Sequence, residues 1–172
     1  MRIASGRCLP NASASAGAYP GELKQILSLS QTALAMRAVT SWPGYAPTPL
    51  RDLSVIASDL NIRRLWYKDE SRRFDLGSFK ALGGAYAVYR ILSTVAGTNA
   101  TENLERAGRD MTFACATAGN HGLSVAWAAK KWGAQCVVYV PATVPESRTA
   151  LLRSHGAQVR IVESSYDETV DL

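Results

Sequence analysis

From Met111 onward the chain alternates short apolar runs with amphipathic stretches, and this order limits the fold more than any other feature. Met111–Ala116, Gln135–Val140 and Gln158–Val162 read as strands. Between the first two, residues 119–132 read as a helix with Val125, Ala128, Ala129 and Trp132 on one stripe, ended by Gly133. The Thr143-Val-Pro-Glu146 pattern resembles a capping box and predicts a further helix ending near Gly156. From Tyr166 another helix is expected. A β-α-β-α-β-α order implies an α/β fold with a parallel sheet and right-handed crossovers.

Upstream the pattern is less regular. Residues 1–21 are rich in small residues and read as a flexible tail. Residues 22–40 predict a helix with Leu23, Ile26, Leu27, Leu34 and the aliphatic part of Arg37 as its stripe. Three prolines and a glycine make Ser41–Leu50 an ordered loop. A short helix at Leu53–Leu60, a strand at Arg63–Lys68 and a charged loop at Lys68–Gly77 follow. Ser78 then caps a helix to about Ser93, with Phe79, Leu82, Tyr86 and Tyr89 on one face. Gly83 and Gly84 each cost roughly 1 kcal/mol in a helix interior, so a close neighbour is expected there. Ala96–Asp110 is polar and reads as loop-like, with room for a helical turn. The chain stops at Leu172, a few residues into its last expected helix and with no C-terminal cap, which suggests truncation.

Composition narrows the function classes. At 172 residues, 47% of them hydrophobic, the chain suits one domain or two small ones. The net charge of +5 is modest and its arginines are scattered, with Arg63-Arg64 and Arg72-Arg73 the densest pairs. A nucleic-acid partner would need a basic stripe, and none is expected. No apolar run approaches the ~20 residues that span a membrane. Cys8, Cys115 and Cys136 share no metal-like spacing, and Cys115 and Cys136 lie in strand-like runs where buried free thiols are ordinary. A reducing, cytoplasmic setting is expected.

Two segments carry chemistry. In SFKALGGAYA, Lys80 follows Phe79 and precedes Ala81 and Leu82, an apolar setting expected to bury the amine and disfavour its ammonium form. A neutral amine can form a Schiff base with an aldehyde, and once released can act as a general base. In ATAGNHG, a strand-turn-helix sequence places backbone N–H groups at a helix N-terminus, where anions bind. Ligands of open α/β sheets lie at the carboxyl ends of the strands. Neither a Walker-type phosphate loop nor a G-x-G-x-x-G turn is present. His121 and His155 lack the companions a zinc site needs, so no metal is expected.

The segments Trp66–Arg90, Tyr45–Leu50 and Ala116–Ala134 resemble the fold-type II pyridoxal-phosphate enzymes, the tryptophan-synthase-β-like group, and within it the diaminopropionate ammonia-lyases. The likeness runs from about Trp42 to the end. It implies a three-layer α/β fold around a parallel sheet, incomplete at the C-terminus. Residues 22–94 would belong to the large cofactor-binding domain and 95–172 to the small α/β domain. Lys80 would be the Schiff-base lysine, Phe79 the aromatic packing beside the pyridine ring, and Asn120 the partner of the cofactor's 3-hydroxyl oxygen. Thr117, Gly119 and His121 lie on the loop that receives the substrate carboxylate. Where these lyases usually carry an aspartate implicated in proton abstraction, this chain has Ala118. The phosphate-binding loop and the pyridine-nitrogen partner of the family lie beyond Leu172.

The activity implied is α,β-elimination of 2,3-diaminopropionate or a similar small amino acid to a 2-oxo acid and ammonia, with pyridoxal 5′-phosphate as cofactor, by a homodimer when full-length. A serine/threonine dehydratase or β-replacement synthase of the same fold is the first alternative. An inactive fragment serving as a structural module is the second.

Overall fold

The structure, a computed structural model, describes residues 11–14, 17–117 and 119–163. In chain order its elements are α1 (Leu29–Ser41), β1 (Leu50–Asp52), α2 (Ser54–Asp59), β2 (Trp66–Lys68), α3 (Lys80–Ala96) and α4 (Thr101–Arg109). After these come β3 (Thr112–Ala116), α5 (Asn120–Lys131), β4 (Gln135–Pro141), α6 (Glu146–Ser154) and β5 (Gln158–Val162). Single 3-10 turns occupy Glu22–Gln25 and Arg73–Asp75. The helix expected from Tyr166, and Ala118, lie outside the described residues.

By their contacts the described residues form two compact units. One comprises the described residues up to Ala38 together with Pro49–Asp69; the other comprises Val39–Thr48 and the described residues from Glu70 on. In the first unit β1 and β2 pair antiparallel, Arg51 opposite Tyr67. Arg51 Nε also reaches Asp69 Oδ2, one residue past the end of β2, at 3.0 Å. The helix expected over residues 22–40 begins only at Leu29. Ser28 Oγ accepts the Gln31 N–H at 3.3 Å, an N-cap that sets the start. Its expected apolar stripe is not buried: Leu23, Ile26, Leu27 and Leu34 are all exposed.

The second unit holds a parallel sheet in the order β3-β4-β5, with α5 and α6 as the connections. α5 ends as its sequence predicts. Gly133, at φ +70°, lets Ala134 N–H reach Ala129 O (2.9 Å) and Gly133 N–H reach Lys130 O (3.3 Å), a paired C-terminal motif that favours glycine. α6 departs from its predicted cap. Pro145 is the N-cap residue, and Glu146 turns forward to Thr149 Oγ1 (2.9 Å) and Arg153 Nη1 (2.7 Å). Those contacts hold the Glu146 carboxyl below the usual carboxylate range, the Thr149 hydroxyl being the larger cause.

The polar stretch before β3 is a helix, α4, rather than a loop. Only Leu104 and Gly108, four residues apart, are buried. Glu102 in its first turn and Arg106 and Arg109 in its last complement the helix dipole.

At the centre of this unit Trp42 is surrounded by aromatic rings: Trp132 at 5.4 Å between centroids, Tyr89 at 5.8 Å, Phe74 at 5.9 Å and Trp127 at 6.2 Å. Each such pair contributes about 0.5–1.5 kcal/mol beyond area burial.

α3 packs along α5, but through a face one residue off the one expected. Ala81, Gly84, Ala85, Val88 and Leu92 are buried, whereas Phe79 is exposed and Leu82, Tyr86 and Tyr89 are half-buried. The two helix glycines separate cleanly. A Cβ on Gly84 would lie 2.0 Å from Ser124 Oγ, whereas one on Gly83 would meet nothing within 4 Å. Ser124 is fully buried and its hydroxyl donates to His121 O at 2.8 Å, so it yields only by losing that bond. Gly84→Ala is expected to destabilise by about 1–3 kcal/mol, and Gly83→Ala to stabilise by about 0.4–1 kcal/mol. Urea denaturation of both variants checks this, and shifts of one sign would refute the close crossing at Gly84.

Candidate active site

Lys80 is the first residue of α3, and its N–H donates to Ser78 Oγ at 3.2 Å. Phe79, rather than the expected Ser78, stands at the N-cap of α3, and Ser78 is buried. The lysine itself departs from expectation: it is exposed, not buried. Lys80, Gly84, Val88 and Leu92 recur every four residues, so Lys80 shares the face on which Gly84, Val88 and Leu92 are buried. It lies one turn ahead of the point where α5 closes over that face. Its Nζ sits 5.1 Å from the Phe79 ring centroid, and among the described residues it makes no ion pair. Phe79 is 58% exposed, which leaves a face of its ring open.

The turn from β3 into α5 is built by Thr117. Its N–H donates to Tyr139 O at 3.1 Å, continuing the β3–β4 pairing. Its Oγ1 accepts the Gly119 N–H at 3.2 Å. Thr117 is buried, so its hydroxyl holds the turn. Gly119 is the N-cap residue of α5. Asn120 and His121 open the helix and are exposed. A Cβ at Gly84 would lie 3.5 Å from His121 Nδ1. The turn therefore approaches α3 one helical turn, about 6 Å along the axis, from Lys80. Asn120 and Gly119 also line a small cleft with Leu123, Arg148, Leu151 and Leu152.

The structure thus brings His121 beside the Lys80 face of α3. It leaves the Phe79 ring and the Asn120 side chain open, and it places Thr117 and Gly119 in the backbone of the turn. Neither thiol near the sheet competes as a nucleophile. Burial pushes the Cys115 thiol up to about 11 and the Cys136 thiol up to about 12, so both stay protonated at neutral pH.

Sequence reasoning missed one group here. Arg73, read as part of a scattered surface doublet, is 5% exposed. It forms a two-pronged pair with Glu70, Nε to Oε2 at 2.7 Å and Nη2 to Oε1 at 3.1 Å. Its Nη1 donates to Ala46 O at 2.8 Å and its Nη2 to Thr48 Oγ1 at 3.1 Å. The Glu70 carboxylate, above all, raises the Arg73 pKa further. The signal was the i,i+3 carboxylate together with the apolar Phe74 beside it.

The chain is 39% identical over 159 residues to the diaminopropionate ammonia-lyase of Escherichia coli K12, covering 90% of this chain and 40% of that protein. The crystal structure of the Escherichia coli diaminopropionate ammonia lyase in apo form superposes with a TM-score of 0.78 at 39% identity, covering 84% of this chain and 40% of that one. A shorter match, 38% over 58 residues, links it to the bovine L-serine dehydratase/L-threonine deaminase, covering 34% of this chain and 18% of that protein. The chain thus spans about 40% of the length of the first curated relatives it matches. The pattern of the pyridoxal-phosphate dependent enzymes runs through residues 41–172, which include the Lys80 turn, the Arg73 pair and the whole parallel sheet, and the chain belongs to that family.

Proposed function

We propose that this chain carries the cofactor lysine and substrate turn of a pyridoxal-phosphate-dependent ammonia-lyase. It would convert 2,3-diaminopropionate, or a similar small amino acid, to a 2-oxo acid and ammonia. The observation that carries this is the Lys80 amine, free of any carboxylate among the described residues, beside an open Phe79 ring and on the helix face that the His121 turn approaches. These residues fit the cofactor's chemistry: an accessible amine for its aldehyde, an aromatic face for its ring and the Asn120 amide for its phenolic oxygen.

When bound, the cofactor supplies an electron sink that makes the α-proton of an amino acid acidic. Lys80 Nζ would hold it and, once released by the incoming substrate amine, would serve as the base for that proton. The first-turn N–H groups of α5, at Asn120 and His121, favour the substrate carboxylate electrostatically. Thr117 Oγ1 keeps the turn in register by binding the Gly119 N–H. Residues 22–94 and 95–172 are assigned to the large and small domains, and the working form to a cytoplasmic homodimer. Exposed Ile26, Leu27, Leu29 and Met36 offer apolar surface for such an assembly. Among the described residues no helix is long and apolar enough to cross a membrane.

Borohydride reduction of the cofactor-loaded protein should fix a pyridoxyl group on the peptide containing Phe79 and Lys80. Label on Lys68 or Lys130 instead would sink the assignment. A serine or threonine dehydratase is the second reading, favoured by alanine at position 118. Turnover of a panel of diaminopropionate isomers, serine and threonine separates the two.

A further inference from the structure

We infer that Arg73 is a positioning residue for Lys80: its buried pair with Glu70, closed by Thr48 and the Ala46 carbonyl, fixes the short segment that presents the amine. This rests on the reading of Lys80 as the cofactor-holding residue. A buried ion pair is weak evidence for stability, because desolvation offsets most of the Coulomb attraction, and an apolar replacement is often neutral or better. Its worth here is geometric. The guanidinium has a planar donor fork that a lysine cannot reproduce. It joins two separate stretches, Ala46–Thr48 and Glu70–Arg73, and stands 5.4 Å from the Tyr45 ring centroid.

The chain from this clamp to Ser78 has no slack, and the exposed Phe79 alone separates Ser78 from Lys80. Phe74 (φ +49°) and Asp75 (φ +58°) are non-glycine residues in the left-handed region, which costs roughly 1–2 kcal/mol per residue. Such conformations persist where the surroundings over-determine them. Leu76 is buried, Gly77 lies at φ +70°, and Ser78 is buried with its Oγ on the Lys80 N–H. Every residue from Arg73 to Ser78 is therefore either buried or held at positive φ. A shift at Arg73 has no loose residue in which to dissipate and reaches the first turn of α3. Displacing a reacting group by about 1 Å costs on the order of 100-fold in rate.

The test compares unmodified protein with Arg73→Lys, Thr48→Val and Glu70→Gln. It reads the affinity for pyridoxal phosphate, the rate and pH profile of borohydride trapping on Lys80, and kcat against KM. Arg73→Lys should slow trapping about 10- to 100-fold, move its pH profile, and lower kcat more than it raises KM. Thr48→Val, which removes the acceptor of Arg73 Nη2 and the hydroxyl donor to Glu70 Oε1 but keeps both charged partners, should give a smaller change of the same sign. It carries the test if Arg73→Lys does not fold. Arg73→Lys combined with Glu70→Gln should cost less than the sum of the two, close to the worse single change, because both break one clamp. Wild-type trapping rate and pH profile in a folded Arg73→Lys or Thr48→Val protein overturn this inference alone. Absence of label on Lys80 in the unmodified protein overturns both this inference and the functional reading beneath it.

Discussion

Lys80→Ala protein should fold as the unmodified protein does and, in the full-length form of the proposed lyase, lose about 10²- to 10⁴-fold in turnover, the usual contribution of a positioned acid–base group. The stability half of this expectation follows from exposure. Lys80 is at the surface, and its contact is with the neighbouring Phe79 ring at 5.1 Å. Surface changes away from special features stay within about 0.5 kcal/mol. Lys80→Arg sharpens the experiment. It keeps a long nitrogen-bearing side chain beside Phe79 but supplies no primary amine able to form an imine, so it should be as inactive as the alanine variant. Steady-state kinetics beside thermal melts measure both halves. An alanine variant that keeps its turnover would remove Lys80 from the chemistry.

Gly108→Ala should damage the fold strongly. A Cβ there would lie 2.0 Å from the Trp132 carbonyl oxygen, 3.1 Å from its carbon and 3.2 Å from Ala134 N. All three are backbone atoms at the end of α5, where the Gly133 turn leaves them no rotamer to change. Either α4 moves off or the α5 terminus does, and Trp132 is a member of the central aromatic group. Overpacking of this kind costs about 3 kcal/mol at the upper end of its ordinary range. For a chain of this size that lowers Tm by about 6–12 °C. Gly83→Ala, with open space around it, is the control. Equal melting of the two variants would show that α4 is not seated as described.

Where buried side chains follow a clear period, the fold was legible. Val125, Ala128, Ala129 and Trp132 are all buried on α5, and β5 falls on the predicted Gln158–Val162. α4 escaped because it has one buried aliphatic residue, and its second contact is a glycine, which resembles a breaker in sequence. The 22–40 helix was overextended because Ser28 caps from inside the apolar stretch, something periodicity cannot see. At Thr143-Val-Pro-Glu146 the residues of a capping box were present, but Glu146 found better partners in Thr149 and Arg153. In the candidate site the motifs located Lys80, Asn120 and His121. Burial of Lys80 did not follow, because residues four apart share a face only as far as another element covers it. Arg73 was hidden for the opposite reason: its partners Ala46 and Thr48 lie more than twenty residues away, and only folding brings them to it.

The ring of aromatic side chains around Trp42 also gives the molecule an optical signature. Three of its four tryptophans, Trp42, Trp127 and Trp132, stand in that group, while Trp66 lies half-exposed in the other compact unit. Emission from the clustered indoles should be blue-shifted and partly self-quenched, and their coupled transitions should give a strong near-ultraviolet circular dichroism band. Trp66 should emit to the red and answer to aqueous quenchers. Each unit thus carries its own chromophore, and loss of order in one can be followed by light without any label on the other.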